Sequence, residues 1–485
     1  MDNTWEPVIG LEIHVQLNTK SKLFSQAPNR FGNEPNSNIT DVCTGQPGTL
    51  PMLNREVVRK AVQFGCSIGA EIQKFSSFDR KSYFYPDSPR NYQITQFFYP
   101  IMTGGSVKAD VEGTTKTFDV HHAHIEDDAG MIKHFANFAG IDYNRAGVPL
   151  IEIVSEPCMH SAKEAAAYGM TIKAIMEYLD ASDCNMEEGS LRMDANISVR
   201  LKGERKLRNK VEIKNVNSFS HMEMAIDLEI QRQIYAYSMA FARGESLENI
   251  IIPATYRFDI EKKQNVLMRV KESAEDYRYF PEPDLTPILL TDSIIEEIRS
   301  TLPELPGQRY ERYIHQLKLT PYNANLLVND KPLSDYFEKA LKYCPHAASL
   351  CNWITVEFVG RLKDSGKKIY QTAIQSEHIA NLVNMIEDKV INGKIAKKVA
   401  DEMMLYPGKD SKKIVEENPD FKPMEETDEI EKIVRLVLDE NPQSVIDYKA
   451  GKGRAFDFLV GQVMKHTKGK ASPSIVNDLL KRMID

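Results

Sequence analysis

The chain has 485 residues, 42% hydrophobic and 27% charged, with mean hydropathy -0.40 and a formal net charge of -8. That length predicts two to four domains, and no run approaches the apolar length of a membrane span. The acidic balance excludes attraction of nucleic acid over the whole surface, so any such binding must come from a local basic patch. Six cysteines form no C-x-x-C pair, which favours a reducing, cytoplasmic setting without structural zinc.

Val8 to Leu17 alternates strictly. Ile9, Leu11, Ile13, Val15 and Leu17 point one way, and Val8, Gly10, Glu12, His14 and Gln16 the other. This is the period-two signature of a half-buried strand. Glu12 and His14 share the polar face, roughly 6–7 Å apart along the strand. There they can share a metal ion or a phosphate-bearing ligand, and a solvated face is the bland alternative. A loop rich in Asn, Pro and Gly (Ala27–Pro51) leads to an amphipathic helix predicted over Arg55–Ile72. The stretch Phe78-Asp-Arg-Lys-Ser-Tyr-Phe-Tyr-Pro-Asp87 packs charge among aromatics. It reads as a site segment or as an aromatic-anchored loop. Ser106–Val111 and Lys116–Val120 form a hairpin around Glu112-Gly113. The second strand runs into His121-His-Ala-His-Ile-Glu-Asp-Asp-Ala-Gly130. Three adjacent acids need solvent or a cation, and hard oxygen ligands suit Mg2+. The spacing matches neither a zincin helix nor an EF-hand.

In Pro149-Leu-Ile-Glu-Ile-Val-Ser-Glu-Pro157, Glu152 interrupts an apolar run of the kind covered on both faces. A carboxylate there needs a metal or a Lys/Arg partner, because an unpaired buried charge is very costly. A site role and a structural salt bridge both satisfy it. Ser161-Ala-Lys-Glu164 reads as a capping box opening a helix toward Asp180. Ser220-His-Met-Glu223 reads as a second, opening a helix that stops near Gly244. Between them Arg192, Asp194, Asn196, Ser198 and Arg200 alternate against Met193, Ile197 and Val199. Lys210, Glu212 and Lys214 repeat the design. At least three strands thus pair an apolar face with a charged one. If they share a sheet, the charged face floors a cleft with carboxylates for a divalent ion and cations for phosphate oxygens. That is the equipment of phosphoryl transfer. No P-loop and no G-x-G-x-x-G occurs, so ATP would lie in neither a P-loop nor a Rossmann crevice.

Tyr277-Arg-Tyr-Phe-Pro-Glu-Pro-Asp284 closes this region. From Asp292 to about Leu405 the texture is helical, punctuated by prolines. Cys344 and Cys351 lie seven apart, on a core stripe or near a turn, and Tyr406-Pro-Gly408 reads as a linker. Beyond it the charge splits. Residues 416–440 hold ten acids and three bases, whereas 447–470 hold six Lys/Arg and two Asp. Lys449, Lys452 and Arg454 sit among glycines, and Lys465, Lys468 and Lys470 follow an apolar helix turn. A glycine-spaced basic loop leading into a helix suits RNA phosphates, and a solvated loop is the alternative.

At these residues the sequence resembles one family over its whole length. The blocks VIGLEIHVQL, FDRKSYFYPDSPRNYQI, HIEDDAG, NRAGVPLIEIVSEP, MEEGSLRMDANISVR, KNVNSF, MRVKE, DYRYFPEPDL, NGKIAKKV and GKGRAFDFLVGQVMK are similar to GatB, the B subunit of aspartyl/glutamyl-tRNA amidotransferase, GatCAB. The resemblance implies an α+β cradle with a mainly antiparallel sheet (1–291), an all-α helical domain (292–405) and an α-helical, tRNA-binding tail like that of YqeY (406–485). It implies a carbon–nitrogen ligase that uses ATP and Mg2+. The side chain of Glu on tRNA(Gln), or of Asp on tRNA(Asn), would be phosphorylated. Ammonia from the amidase component GatA, assembled with the small component GatC, would then form the amide. Carried over, the metal ligands fall on His14, Glu126 and Glu152, with Glu12 beside them. Arg192, Asp194 and Lys214 complete the expected catalytic set, and Arg200, Lys210 and Glu212 are expected at the nucleotide. Lys81 and Asp127 are the candidates for the end of an ammonia path. The expected tRNA contacts are the six basic residues of 447–470. The chain departs from many members in having Thr40-Asp-Val-Cys43 where they carry C-x-x-C, and Met193 where they carry Cys. It also has Asp127 where relatives often have Glu, and Pro253-Ala-Thr255 in place of Gln-Glu-Thr. The zinc site of those members is therefore not expected here. Two other classes remain open from the residues alone, a non-catalytic tRNA scaffold and a metal-dependent phosphohydrolase.

Overall fold

The computed structural model describes residues 4–214, 216–270, 277–421, 427–467, 470–471 and 473–484. Two units divide the chain, Met1–Arg309 and Tyr310–Asp485. The first is α+β, built on ten strands: β1 (Trp5–Gln16), β2 (Glu71–Ile72), β3 (Met102–Thr103), β4 (Ser106–Val111), β5 (Thr114–Asp127), β6 (Pro149–Ser155), β7 (Leu191–Leu201), β8 (Val211–Lys214), β9 (Ala254–Asp259) and β10 (Gln264–Val270). They form one sheet in the order β10-β9-β8-β7-β1-β6-β5-β3-β2, with β4 paired to β5. Among the described residues, the paired strands of this sheet run antiparallel except β8 and β9, which are parallel. A parallel pair needs a long crossover, and the helix between these two strands supplies it.

β1 lies inside the sheet, paired along its length with β7 and over its second half with β6. Alternation decides its faces. Ile9, Leu11, Ile13 and Val15 are fully buried, each contributing about 2 kcal/mol from apolar burial. They pack with the helices α1 (Arg55–Ser67), α2 (Ala162–Tyr178) and α3 (Phe219–Ala242) in one core. Gly169 lets α2 approach the sheet, because a Cβ there would stand 2.9 Å from Met193 Sδ and 3.0 Å from Phe219. Of the even-numbered residues of β1, Val8 is buried, and Glu6, Gly10, Glu12, His14 and Gln16 are left partly exposed on the other face.

The helix ends differ from the sequence expectation for local reasons. α1, capped by Asn54, stops at Ser67 rather than Ile72. Gly69 then takes φ +68° and the chain turns into β2. Ser161 caps α2 through the Glu164 N–H, but the Glu164 carboxylate accepts from the His160 N–H, so the box is displaced by one residue. α3 starts two residues earlier than expected, because the cap is Ser218, not Ser220. Its Oγ accepts from the His221 N–H. The hairpin turn is where it was expected, with positive φ at both Glu112 and Gly113, the pattern of a two-residue type I′ turn. Its second strand, however, continues to Asp127, because residues 120–127 pair with β6.

A three-stranded sheet of Asp79–Ser82, Tyr92–Thr95 and Phe280–Pro281 stands beside the main one. Arg80 holds it together, bidentate to Glu282 at 2.7 and 2.9 Å and 3.0 Å from Asp284. The helix α4 (Asp292–Ser300) packs on α1, with Ile295 in the first core. The first unit therefore continues past the break expected at residue 291.

The second unit is helical and holds two cores, one from Tyr313 to Phe421 and one from Ile430 to Ile484. Cys344 and Cys351 are buried in the former. Tyr406–Gly408 is not a domain linker. The helix after it, Ser411–Glu417, packs on Ser376–Glu387 and Gly393–Leu405, and Ser411 Oγ donates to the His378 carbonyl. Among the described residues, no helix is long and apolar enough to cross a membrane.

Candidate active site

Strand register assembles the site. His124 of β5, Glu152 of β6, His14 of β1 and Arg192 of β7 are direct cross-strand partners in one row across the open face. In the next row Glu12 pairs with Asp194, and further along β7 Asn196 pairs with Glu212 of β8. Glu126 follows His124 two residues on, so the same alternation brings it to this face.

The side chains converge. His14 Nε2 lies 3.3 Å from Glu152 and 3.9 Å from Glu126. Ligand atoms of His14, Glu126 and Glu152 all fall within 4.8 Å of one another, and so do those of Glu12, Asp194 and Glu212. The two acidic sets are neutralised differently. Imidazoles serve the first, since His124 Nε2 is 3.3 Å from Glu152 and 3.6 Å from Glu126. Lys214 serves the second, 2.5 Å from Asp194 and 3.0 Å from Glu212. Asn196 donates to Glu12 at 2.8 Å, and Thr255 donates to Glu212 at 2.9 Å. Thr255 belongs to the stretch that departs from the family pattern, so that stretch still supports the site.

Burial and neighbours set the protonation. Burial favours the neutral ring of His124, but Glu152 and Glu126 outweigh it and push its pKa up to about 10. Burial likewise favours neutral Glu152, but His124 and His14 hold its carboxyl well below the usual range. Glu12 is raised by its own burial and by Glu152, only partly offset by the Asn196 hydrogen bond and Lys210. Removed from water and crowded by acids, Glu12 lacks the full counter-charge a cation would give it. The donor set fits a hard divalent ion: carboxylate oxygens predominate, with one imidazole nitrogen in the first group.

Two cavities meet here. One, of about 1140 Å³, runs over Glu12, Asp194, Glu212 and Arg257. The other, of about 340 Å³, extends from Glu126 toward Arg90 and Cys43. His14, Lys81, Arg145, Glu152, Arg192, Lys214 and Tyr277 border both.

Not every expected residue joins the cluster. Arg200 is bound to Glu6 at 2.8 Å, eight residues from Arg192 along β7 and hence about 26 Å away. Lys210 is exposed and borders neither cavity, although its charge reaches Glu12. Lys81 and Asp127 both line the smaller cavity but face different partners. Lys81 Nζ lies 4.7 Å over the Tyr277 ring. The buried Asp127 carboxylate is taken by Arg90 and the Ile94 N–H. His124, Arg145 and Arg90 were not anticipated from the sequence, and Asp128 was read there only as the third acid of the run 126–128. Asp128 receives Arg192 and Gln16 at 2.8 and 2.9 Å and lies 3.6 Å from Arg145. The signal for His124 was present, since His122, His124 and Glu126 are spaced by two. Cys43 Sγ is surrounded by Ser25 Oγ, Thr40 Oγ1 and the ammonium of the fully buried Lys22.

In the second unit the basic residues split. Lys449, Lys452 and Arg454 are exposed around Gly451 at the start of the helix Gly453–His466, with Lys452 3.1 Å from Asp447. Lys465 is at its far end, about 18 Å along the axis from Gly453. Lys470 is tied to Asp420 at 3.1 Å, and Lys468 lies outside the described residues.

The α+β scaffold thus aims carboxylates, imidazoles and cations from one sheet face into paired cavities, a set of groups suited to a divalent ion and to phosphate oxygens. Residues 7–296 match the GatB/GatE catalytic domain family, and residues 335–484 match the GatB domain family. The chain belongs to the GatB family. It is similar to proteins named as the B subunit of aspartyl/glutamyl-tRNA(Asn/Gln) amidotransferase. The one from Protochlamydia amoebophila is 64% identical over 99% of this chain and 97% of the relative. That from Chlamydia pneumoniae is 56% identical over 99% and 98%, and that from Chlamydia abortus 56% over 98% and 97%.

Proposed function

We propose that this chain is the component of a multi-subunit tRNA amidotransferase that activates the side-chain carboxylate of Glu-tRNA(Gln) or Asp-tRNA(Asn) with ATP for amidation. The observation that carries the reading is the cross-strand row His124–Glu152–His14–Arg192, with Glu12, Asp194 and Lys214 beside it. It sets anionic ligands next to cations at the junction of two cavities. One cavity is large enough for a nucleotide and the acceptor end of an RNA, and the other leads away from it.

In this reading His14, Glu126 and Glu152 hold one Mg2+, and Glu12, Asp194 and Glu212 offer a second acidic group. Bound there, Mg2+ supplies Lewis-acid stabilisation of charge on the transferring phosphoryl group. The protein's own contribution is positioning and charge. Arg192 is fixed by Asp128, and Lys214 is fixed by Asp194 and Glu212. Both border the shared wall, where they orient phosphate oxygens and the incoming carboxylate. Arg145 and Lys81 border the same wall. The smaller cavity, past Asp127 and Arg90, is the route by which ammonia from an amidase partner, GatA in complex with GatC, reaches the activated carboxylate. The basic residues of 447–470 anchor the tRNA outside the active site, beside the C-terminal core of the second unit. The working compartment is the cytoplasm, where charged tRNA is made.

ATP turnover measured with and without Glu-tRNA(Gln) tests the reading. Turnover that requires the charged tRNA supports it. Hydrolysis of ATP with no tRNA present points to a phosphohydrolase, and absence of turnover in the complete complex points to a scaffold.

A further inference from the structure

We infer that His124, backed by His122, is a positioning residue that orients the carboxylates of Glu126 and Glu152 toward the divalent cation. This rests on the metal reading above. Glu126 turns Oε1 toward His14 at 3.9 Å and Oε2 toward His124 at 3.6 Å, with Thr95 Oγ1 also on Oε2 at 3.3 Å. Glu152 places Oε2 between the two imidazoles, 3.3 Å from each. His124 therefore touches both acids from the side opposite His14. It is not itself part of either group of three mutually adjacent ligand atoms among the described residues.

The ring of His124 is held from behind. Its Nδ1 is 3.2 Å from His122 Nε2, and the two rings stack at 5.3 Å with an interplanar angle of 15°. His122 Nδ1 in turn lies 2.7 Å from Nδ1 of the exposed His121. With both nitrogens engaged and its residue 9% exposed, His124 cannot turn without breaking contacts at each end. Outer partners of this kind fix the aim of ligands that would otherwise swing, and losing one typically costs roughly 10–100-fold in metal affinity. Their source in the sequence is plain. His122 and His124 are the two positions preceding Glu126 on the same face of β5, so register alone puts them behind it.

The test is Mn2+ binding to the full-length chain in its amidotransferase complex, monitored by the EPR signal of free Mn2+. His124→Ala should raise the Mn2+ Kd by roughly 10–100-fold. His124→Gln, which keeps an N–H donor, should recover most of the affinity. His122→Ala should shift it in the same direction by less. Nitrogen couplings to bound Mn2+ should be unchanged in His124→Ala, because His14 is the imidazole ligand. If that variant fails to fold, His124→Phe, which fills the space without a donor, replaces it. An unchanged Kd overturns the inference, and so does loss of a nitrogen coupling, which would make His124 a ligand. Wild-type complex that binds no Mn2+ overturns the metal reading itself, and the inference with it.

Discussion

Replacing Lys214 with Met removes the cation that holds Asp194 and Glu212, in a cluster that also includes Glu12. Three carboxylates then remain with oxygens within 4.8 Å of one another. At an effective dielectric constant of 20, two charges at that distance repel by about 3.5 kcal/mol. Water reaching the Lys214 end of the cluster reduces this to roughly half. Over three pairs the total is about 5 kcal/mol, comparable with the whole stability of many domains. The carboxylates will answer by binding a proton, as Glu12 is already inclined to do. A group whose pKa is raised by folding stabilises the native state fully below its unfolded pKa. That stability is lost as pH rises through the folded value. Lys214→Met should therefore lose stability with rising pH above the usual carboxylate range, by about 1.4 kcal/mol per pH unit for one excess proton. A divalent ion should restore it. At 100 times its Kd, Mg2+ would add about 2.7 kcal/mol, so its effect on Tm should be larger in the variant than in wild type. The assay is thermal unfolding across pH, with and without Mg2+, alongside tRNA-dependent ATP turnover, which should fall at least ~100-fold. Identical pH slopes and identical Mg2+ shifts in the two proteins would refute the reasoning.

Glu126→Gln should abolish tRNA-dependent ATP turnover while leaving the Kd for tRNA within about twofold, because the basic residues proposed to anchor the tRNA belong to the other unit; a matching loss of tRNA binding in a filter assay would contradict this. Lys22→Met keeps the buried stem but strands the carbonyls of Ala146 and Tyr143, now bonded at 2.7 and 3.3 Å. Chemical denaturation should show a loss of about 2–4 kcal/mol, and a loss under 1 kcal/mol would mean the ammonium is not holding that turn. Lys81→Ala should depress glutamine-dependent amidation more than amidation with added ammonium, and equal losses would remove it from the ammonia path. Since Lys449 and Arg454 are both exposed beside Gly451, Lys449→Ala with Arg454→Ala should lower the salt slope of log Kd by up to about 1.8 for a duplex-like site. An unchanged slope would place the anchor elsewhere.

Much of the site was legible because strand alternation is a strong signal. Glu12, His14, Arg192 and Asp194 could be assigned to polar faces from spacing alone, whereas Glu152 stood out only as a charge inside an apolar run, and all five share one face of the sheet. Pairing was not legible. Nothing local says that β1 has β6 on one side and β7 on the other, so Arg200 looked as well placed as Arg192. Register carried one into the site and the other to Glu6. The length of β5 was underread for the same reason. Its hydrophobic alternation fades after Val120, and only pairing with β6 keeps it extended through His124 and Glu126. Capping was misjudged where two serines compete: Ser218 and Ser220 are both good caps, and the start of α3 follows packing rather than local preference. The break at residue 291 was drawn from a change to helical texture, whereas α4 follows its apolar side, Ile295, into the first core.

Stability and chemistry are linked through β1. Its odd residues are buried because they are apolar, and their burial fixes the strand against a one-residue slip. The same constraint aims Glu12 and His14, since period two leaves the even residues no other direction. A slip of β1 by one residue would bury both charges and expose Ile13 and Val15, at a cost of several kcal/mol on each count. The apolar face of this strand thus holds the positions of the polar one. Larger-to-smaller changes at Ile13 should then loosen the proposed metal ligands as well as the core, whereas equal losses of stability placed in the second unit should leave those side chains in place.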